Sequence, residues 1–444
     1  MDFVNGMRLA AALLSLLLMG LCGLRLLARF VRVLRGQERA DGLTNPEPPA
    51  VQATPAARAM RPGRTGRTGR TASTARELLL AALVTLASRL LLYALAYALY
   101  RLLGIGDKGF FASLEPLWTH WDTRHYTGIA LEGYTAVGDE RLRLVFFPLY
   151  PMLMRLFSPL AGGNVFFGGL IVSLLCAAAS GALLYDLCRM HFSRGTARLA
   201  LAYFLLNPLS VFLCCAYTES LFICLTLAAV WLLRRGHPWI AALCGAAGAL
   251  TRMPGVIVAG LFLIRLLGDI PRGKIGAKAV LRCAAQMGVV FMGLAAYWMI
   301  NKRVTGNAFT YMVYQRENWY QMPGTFWDTV RTTVDYMISS YGDSDWLFSW
   351  AFQCFSLFYV FELLATRSDE LPFDLAAYAF VYVAVVLAPT WLLSGARYLF
   401  ALAPLPMLQA RAHRQRRTHA LVLAHSALLL VLWVYGYTIA IDVF

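Results

Sequence analysis

The sequence predicts an all-α fold, a polytopic bundle of transmembrane helices with a long first outer loop. Three observations predict it. Of the 444 residues, 59% are hydrophobic and only 14% charged, a balance too apolar for a soluble enzyme. Apolar runs of about 15 to 25 residues recur along the chain, each at or near the length that carries a helix across a bilayer. Lysine and arginine fall in alternate connections between those runs, the asymmetry that orients membrane helices. The net charge of +16 therefore points to membrane lipid headgroups and away from nucleic acid.

The first run, near residues 9–28, is followed by Arg25, Arg29, Arg32 and Arg35 and by no small-residue cleavage pattern. Residues 1–35 are thus predicted to be a retained transmembrane anchor whose C-terminal end is cytoplasmic. Residues 36–76 change character, with Pro, Thr, Gly and Arg and the repeated GRTGRTGRT at 63–71. Such a segment buries too little apolar surface to offset its ordering entropy, so a disordered cytoplasmic linker is expected. Its arginines either touch anionic headgroups or stay solvated.

Residues 77–444 carry the rest. Spans are expected near 78–103, 164–187, 198–215, 218–233, 238–251, 254–267, 283–301, 346–364, 373–392, 396–410 and 419–440, about twelve with the first. The stretch 143–160, with Pro148 and Pro151, reads as an interfacial or partly buried helix. Cytoplasmic connections are then 188–198, 234–237, 272–282, 366–370 and 411–417, all short and basic or mixed in charge. The other face receives 104–143, 216–219, the break near Arg252, 302–345 and the turn from Ser394 to Arg397. The nine cysteines lie mostly in apolar runs without paired spacing, and read as small core residues that imply neither disulfides nor a zinc site.

One segment of the first outer loop concentrates chemistry. HWDTRHYTGIALEGY, residues 120–134, places Asp122, Arg124, His125 and Glu132 among Trp121, Tyr126 and Tyr134. A carboxylate there can deprotonate an attacking hydroxyl, and the Trp and Tyr rings offer surfaces on which sugars stack. Glycosyl transfer fits that set. A local staple, Asp122 paired with Arg124 or Arg101, fits the spacing equally well.

Glu219, Arg252 and Arg397 each stand at the end of an apolar run, where an unpaired charge is costly and marks a site or a pair. The arginines can fork onto a phosphate, or Glu219 can pair with Arg252 while Arg397 reaches for the interface. Arg89, inside the second run, reads as a buried structural contact. Asp122 has no acidic neighbour at D-x-D spacing, and no glycine-rich phosphate loop is present. No metal or other cofactor is called for. A lipid-linked donor is then the natural alternative to a nucleotide sugar.

At these residues the chain resembles the PIG-V type of GPI mannosyltransferase, within the polytopic GT-C glycosyltransferases. WDTRHYTGIALEGY with the following FFPLYP, NPLSVFLCCAYTESLF, GALTRMPG, VTGNAFTYMVYQRENW at 304–319 and SGARYLFALAPLP carry the resemblance in that order, over about residues 77–440. It implies an inverting, metal-independent transferase that takes mannose, or another hexose, from a polyprenyl phosphate at the outer or lumenal face. Asp122 is then the expected base and His125 completes the WDxxH pattern. Glu219, Arg252, Gln315, Trp319 and Arg397 match polar positions expected to shape the donor and acceptor pockets, with Arg397 and Arg252 on the leaving lipid phosphate, and Arg124, Trp121 and Tyr126 are expected beside them at the substrate. Asn307 stands where an acidic residue is expected in GNAF.

Lysine supplies only Lys108, Lys274, Lys278 and Lys302 among the forty basic residues, an arginine bias common in high-GC bacterial genomes. A bacterial plasma membrane is expected, or the endoplasmic reticulum in a eukaryote, with a glycolipid, glycan or protein as acceptor. Two other classes stay open: a lipid or solute transporter whose buried charges line a path, and a non-catalytic subunit.

Overall fold

The computed structural model describes residues 3–42, 73–343 and 346–443; residues 43–72, most of the expected linker, lie outside the described residues. The described chain is built of helices, with an isolated bridge between Pro323 and Pro389. In order these are α1 (Phe3–Leu34), α2 (Ala75–Leu102), α3 (Phe110–Trp118), α4 (Asp122–Glu132), α5 (Leu149–Phe157), α6 (Val165–His191), α7 (Arg194–Leu206), α8 (Glu219–Arg234) and α9 (Pro238–Ala249). There follow α10 (Ala259–Leu267), α11 (Ala277–Thr305), α12 (Thr310–Trp319), α13 (Phe326–Ser339), α14 (Phe352–Arg367), α15 (Phe373–Val386), α16 (Gly395–Phe400), α17 (Leu405–Ala412) and α18 (Arg416–Thr438).

Among the described residues, seven stretches are long and apolar enough to cross a membrane: Val4–Leu34, Ala75–Leu102, Val165–His191, Met253–Arg272, Ala277–Thr305, Leu347–Glu370 and Arg416–Thr438. The remaining expected runs are shorter or broken. The run at 198–215 stops at Asn207, whose conformation Pro208 restricts, and resumes as a 3-10 turn, Pro208–Leu213. Arg89 fastens that break by donating to the carbonyls of Leu205 at 2.9 Å and Ser210 at 2.5 Å, so it is a buried structural contact. The run at 396–410 divides into α16 and α17 around Pro404. Residues 139–161, read from sequence as one interfacial or partly buried helix over 143–160, form two helical pieces bent by 105°.

Ion pairs gather one set of helix ends. Arg234 meets Asp374 at 2.7 Å, Arg235 meets Asp186 at 2.8 Å, Arg411 meets Glu370 at 2.6 Å and Arg194 meets Glu77 at 2.7 Å. These are the basic connections of the charge pattern, brought to one end of the bundle. At the same end α1 docks on α14 and α15. Buried Arg29 donates to the carbonyls of Ser368 and Leu371 at 2.8 and 2.9 Å, and to Glu38 at 2.9 Å. Residues 36–42, which composition assigns to the linker, turn back here, and the Ala40 carbonyl accepts from Asp374 N at 3.0 Å.

The outer faces carry exposed aliphatic side chains such as Leu24, Leu91, Leu281 and Leu421, a surface suited to lipid. Since lipid is as apolar as leucine, close packing has to hold such helices together. Small residues permit it: a Cβ on Gly293 of α11 would strike the Ala246 carbonyl of α9, and one on Gly181 of α6 would strike Thr85 of α2.

Candidate active site

At the opposite end, the chain turns from α3 into α4 through Trp121, whose φ of 42° lies in the left-handed region. A bulky residue held there costs on the order of 1–3 kcal/mol and persists only where its surroundings fix it. Trp121 Nε1 donates to Asp442 at 2.8 Å, and its ring lies edge-on to Tyr437 at 5.2 Å. The turn delivers Asp122 to the first position of α4.

Asp122 Oδ2 accepts from Arg397 Nη2 at 3.0 Å. The same nitrogen donates to Glu219 Oε1 at 2.7 Å, and Arg397 Nε to that oxygen at 3.0 Å. Arg252 Nη1 reaches it too, at 3.0 Å. The four groups form a chain of alternating charge, running from Asp122 with 29% of its side chain exposed to Glu219 with none. Aromatic faces replace water around the cations. The Arg397 guanidinium lies 4.6 Å from the ring centres of both Phe212 and Tyr217, and Arg252 lies 4.1 Å from that of Tyr398.

The local staple is thereby corrected: Arg101 donates to the Asp107 carbonyl at 2.6 Å and Arg124 is exposed, while Asp122 turns to Arg397. The Glu219–Arg252 pair exists, but Arg397 belongs to it and does not reach for the interface.

His125 sits one turn beyond Asp122 and stacks on Phe146 at 4.5 Å. Burial holds its imidazole below the ordinary value, Asp122 pulls it up, and Arg143 adds to the fall. His120 is lowered as well, by burial and then by Arg124. Tyr126 is buried with its ring edge-on to Phe146, Tyr150 and Tyr217. Trp319 reaches the same cluster through Phe146, edge-on at 6.2 Å. Gln315, one turn earlier on α12, is half-buried, and no hydrogen bond of its side chain joins the acidic cluster among the described residues. Glu132 pairs with Arg143 at 2.5 Å, away from Asp122. Asn307 accepts from the Phe309 N–H at 3.0 Å and caps the turn before α12.

Several participants escape sequence reasoning. Phe212, Tyr217 and Tyr398 enclose the arginines; their one signal is proximity to Glu219 and Arg397 in the quoted blocks. Gln353, fully buried, accepts from Gly395 N at 2.6 Å and donates to the Leu392 carbonyl at 2.7 Å and Thr333 at 3.0 Å, fixing the start of the short helix that presents Arg397. Trp118 Nε1, His120 Nε2 and Glu219 Oε2 are buried without a hydrogen-bond partner among the described residues. Among the described residues no group of three His, Cys, Asp or Glu is placed to hold a metal ion.

The sequence pattern of the mannosyltransferase (PIG-V) family matches residues 105–358, more than half of the chain. The chain belongs to that family. Curated relatives include the GPI alpha-1,6-mannosyltransferase 2 proteins of Mus musculus, Rattus norvegicus and Homo sapiens, 30%, 32% and 30% identical over 155 residues. Each match covers 33% of this chain and 31% of the relative, so the chain aligns with about a third of those proteins' length. No solved structure matches this mannosyltransferase (PIG-V) family member. The family match takes in Asp122, His125, Glu219, Arg252, Gln315 and Trp319, whereas Arg397 lies beyond its end.

Proposed function

We propose that this family member is an inverting membrane mannosyltransferase of the GT-C type. It moves mannose, or another hexose, from a polyprenyl-phosphate-linked donor to an acceptor hydroxyl on the non-cytoplasmic face of a bacterial plasma membrane, or of the endoplasmic reticulum in a eukaryote. The acceptor is a glycolipid, a glycan or a protein. One observation carries the reading: Asp122, partly exposed at the mouth of the bundle, is held by an arginine that is itself anchored on a fully buried carboxylate, with 3.0 Å between Arg397 and Asp122.

In the proposed step Asp122 Oδ1, the oxygen not bonded to Arg397, takes the proton of the acceptor hydroxyl as that oxygen attacks the anomeric carbon. The anomeric carbon–oxygen bond to phosphate breaks on the opposite side, and the polyprenyl phosphate leaves with the electron pair. Configuration inverts because attack and departure are in line. Such a step separates base from leaving group across the sugar. Arg397, bonded directly to Asp122 and 3% exposed, is therefore better suited to orient the base than to grip the phosphate. Exposed Arg124, on the same turn of α4, is the cation available to the departing phosphate. His125, Trp121, Tyr126 and Trp319 line the sugar's side of the site, and Arg252 with Glu219 and Gln315 support it from behind.

The test is reconstitution with radiolabelled polyprenyl-phosphate mannose and a total lipid extract, read by mass analysis. A gain of one hexose on an acceptor, lost in Asp122→Asn, is expected. A donor that crosses the membrane or stays bound with its glycosidic phosphate intact would instead assign the protein to transport.

A further inference from the structure

The end of the bundle opposite Asp122 contains a second built feature. A groove of about 850 Å³ opens between the starts of α7 and α18 and the ends of α14 and α17. Arg198, Arg367, Arg411, Arg414 and Arg416 line it, against one carboxylate, Glu370. Glu370 answers Arg411 at 2.6 Å. Among the described residues the other four arginines have no acidic group within ion-pairing distance. Guanidinium groups gathered around one hollow repel each other, and their fork matches phosphate oxygens. Both helix starts, at Arg194 and Arg416, add the positive ends of their dipoles to the same rim.

The wall below the rim is apolar. Leu199 and Ala202 of α7 and Leu423 of α18 line the groove. At the rise of an α-helix, Ala202 lies about 6 Å beyond Arg198 along its helix, and Leu423 about 10 Å beyond Arg416. A charged mouth thus leads into an oily slot between two helices, one of which, α18, is long and apolar enough to cross a membrane. Free phosphate would engage only the mouth. A lipid with an anionic headgroup uses both parts.

We propose that this groove binds an anionic membrane lipid, its phosphate among Arg198, Arg414 and Arg416 and an acyl chain along Leu199, Ala202 and Leu423. The site lies apart from the Asp122 cluster, so it stands or falls independently of the transfer reaction.

The full chain in neutral detergent is melted with phosphatidylglycerol, phosphatidylcholine or inorganic phosphate, and retained lipid is counted by native mass spectrometry. Phosphatidylglycerol is expected to raise the melting temperature and to remain as a one-to-one adduct; phosphatidylcholine and phosphate are not. In the double variant Arg198→Glu, Arg414→Glu, which alters two exposed side chains, the adduct should fall about tenfold or more. Ala202→Trp fills the slot and spares the arginines, and should lose the adduct to a similar degree. An adduct undiminished in both variants, or a phosphate-induced stabilisation equal to that of the lipid, would overturn the proposal.

Discussion

Arg397 Nη2 lies 3.0 Å from Asp122 and 2.7 Å from Glu219, so one guanidinium joins a carboxylate of the first loop to a buried carboxylate at the start of α8. Asp122 and Arg397 are 275 residues apart in sequence. The tie makes the position of the loop carboxylate a property of the whole bundle, since Arg397 is itself fixed by Glu219, Phe212 and Tyr217. A base held this way keeps one oxygen engaged and offers the other.

Asp122→Asn tests the base. The amide oxygen can still accept from Arg397, and Arg397 keeps Glu219, so the stability change should stay within about 1 kcal/mol. Transfer should fall by roughly 10²–10⁴-fold, the usual contribution of a positioned general base. A radiolabel transfer assay beside a thermal melt checks both, and wild-type turnover in the variant would remove Asp122 from the mechanism.

Glu219→Gln should damage the fold itself. Glu219 is fully buried and takes hydrogen bonds from both Arg397 and Arg252. Neutralising it leaves buried Arg252 without its carboxylate and buried Arg397 with only partly exposed Asp122. Breaking a buried ion pair from one side costs about 3–5 kcal/mol. A markedly lower melting temperature is expected, with activity lost alongside the fold; an unchanged melt would mean that the arginines find other partners.

Histidine titration supplies a pH test. His120 and His125 both have folded-state values below the ordinary 6.5, chiefly through burial. As pH falls past 6.5 the unfolded chain takes up protons first. The stability tied to the neutral rings is therefore complete above 6.5 and is lost as pH drops through the folded-state values. Groups facing His125 act in both directions, Asp122 upward and Arg143 downward. Thermal melts from pH 7.5 to 5 should converge for wild type and His120→Gln/His125→Gln as pH falls, the wild type losing more. Parallel curves would show that the imidazoles stay out of the linkage.

The helices were legible because a bilayer fixes both length and composition: Ala75–Leu102 and Arg416–Thr438 follow from runs of leucine and alanine alone. The breaks were less so. Pro208 and Pro404 are visible in the sequence, yet only the packing decides whether a proline kinks a span or ends it. Within the candidate site, Glu219, Arg252 and Arg397 stand out because a charge at the end of an apolar run is costly, and Asp122 because it lies among Trp, Tyr and His in the first outer loop. Their pairing was illegible, for no periodicity links residues so far apart. Arg89 shows the same limit: its burial could be expected, but its partners are backbone carbonyls exposed by a helix break that pattern alone does not locate. Gln353 gave no signal, being a neutral amide in an aromatic run.

That amide provides the last test, because it touches none of the charged cluster yet governs where Arg397 starts. Gln353 accepts from Gly395 N and donates to Leu392 O and Thr333 Oγ1. Gln353→Ala would leave these groups buried and unsatisfied, at about 1–3 kcal/mol each where water cannot enter. Gln353→Glu restores the acceptor for Gly395 N but loses both donations. If Gln353 positions Arg397, each variant should lower kcat more than it raises KM for the lipid-linked donor, with Gln353→Glu, which also buries a carboxylate against the Leu392 carbonyl, the worse of the two. Equal losses in melting temperature with kcat unchanged in the folded fraction would restrict Gln353 to stability and would separate the short helix from the reaction.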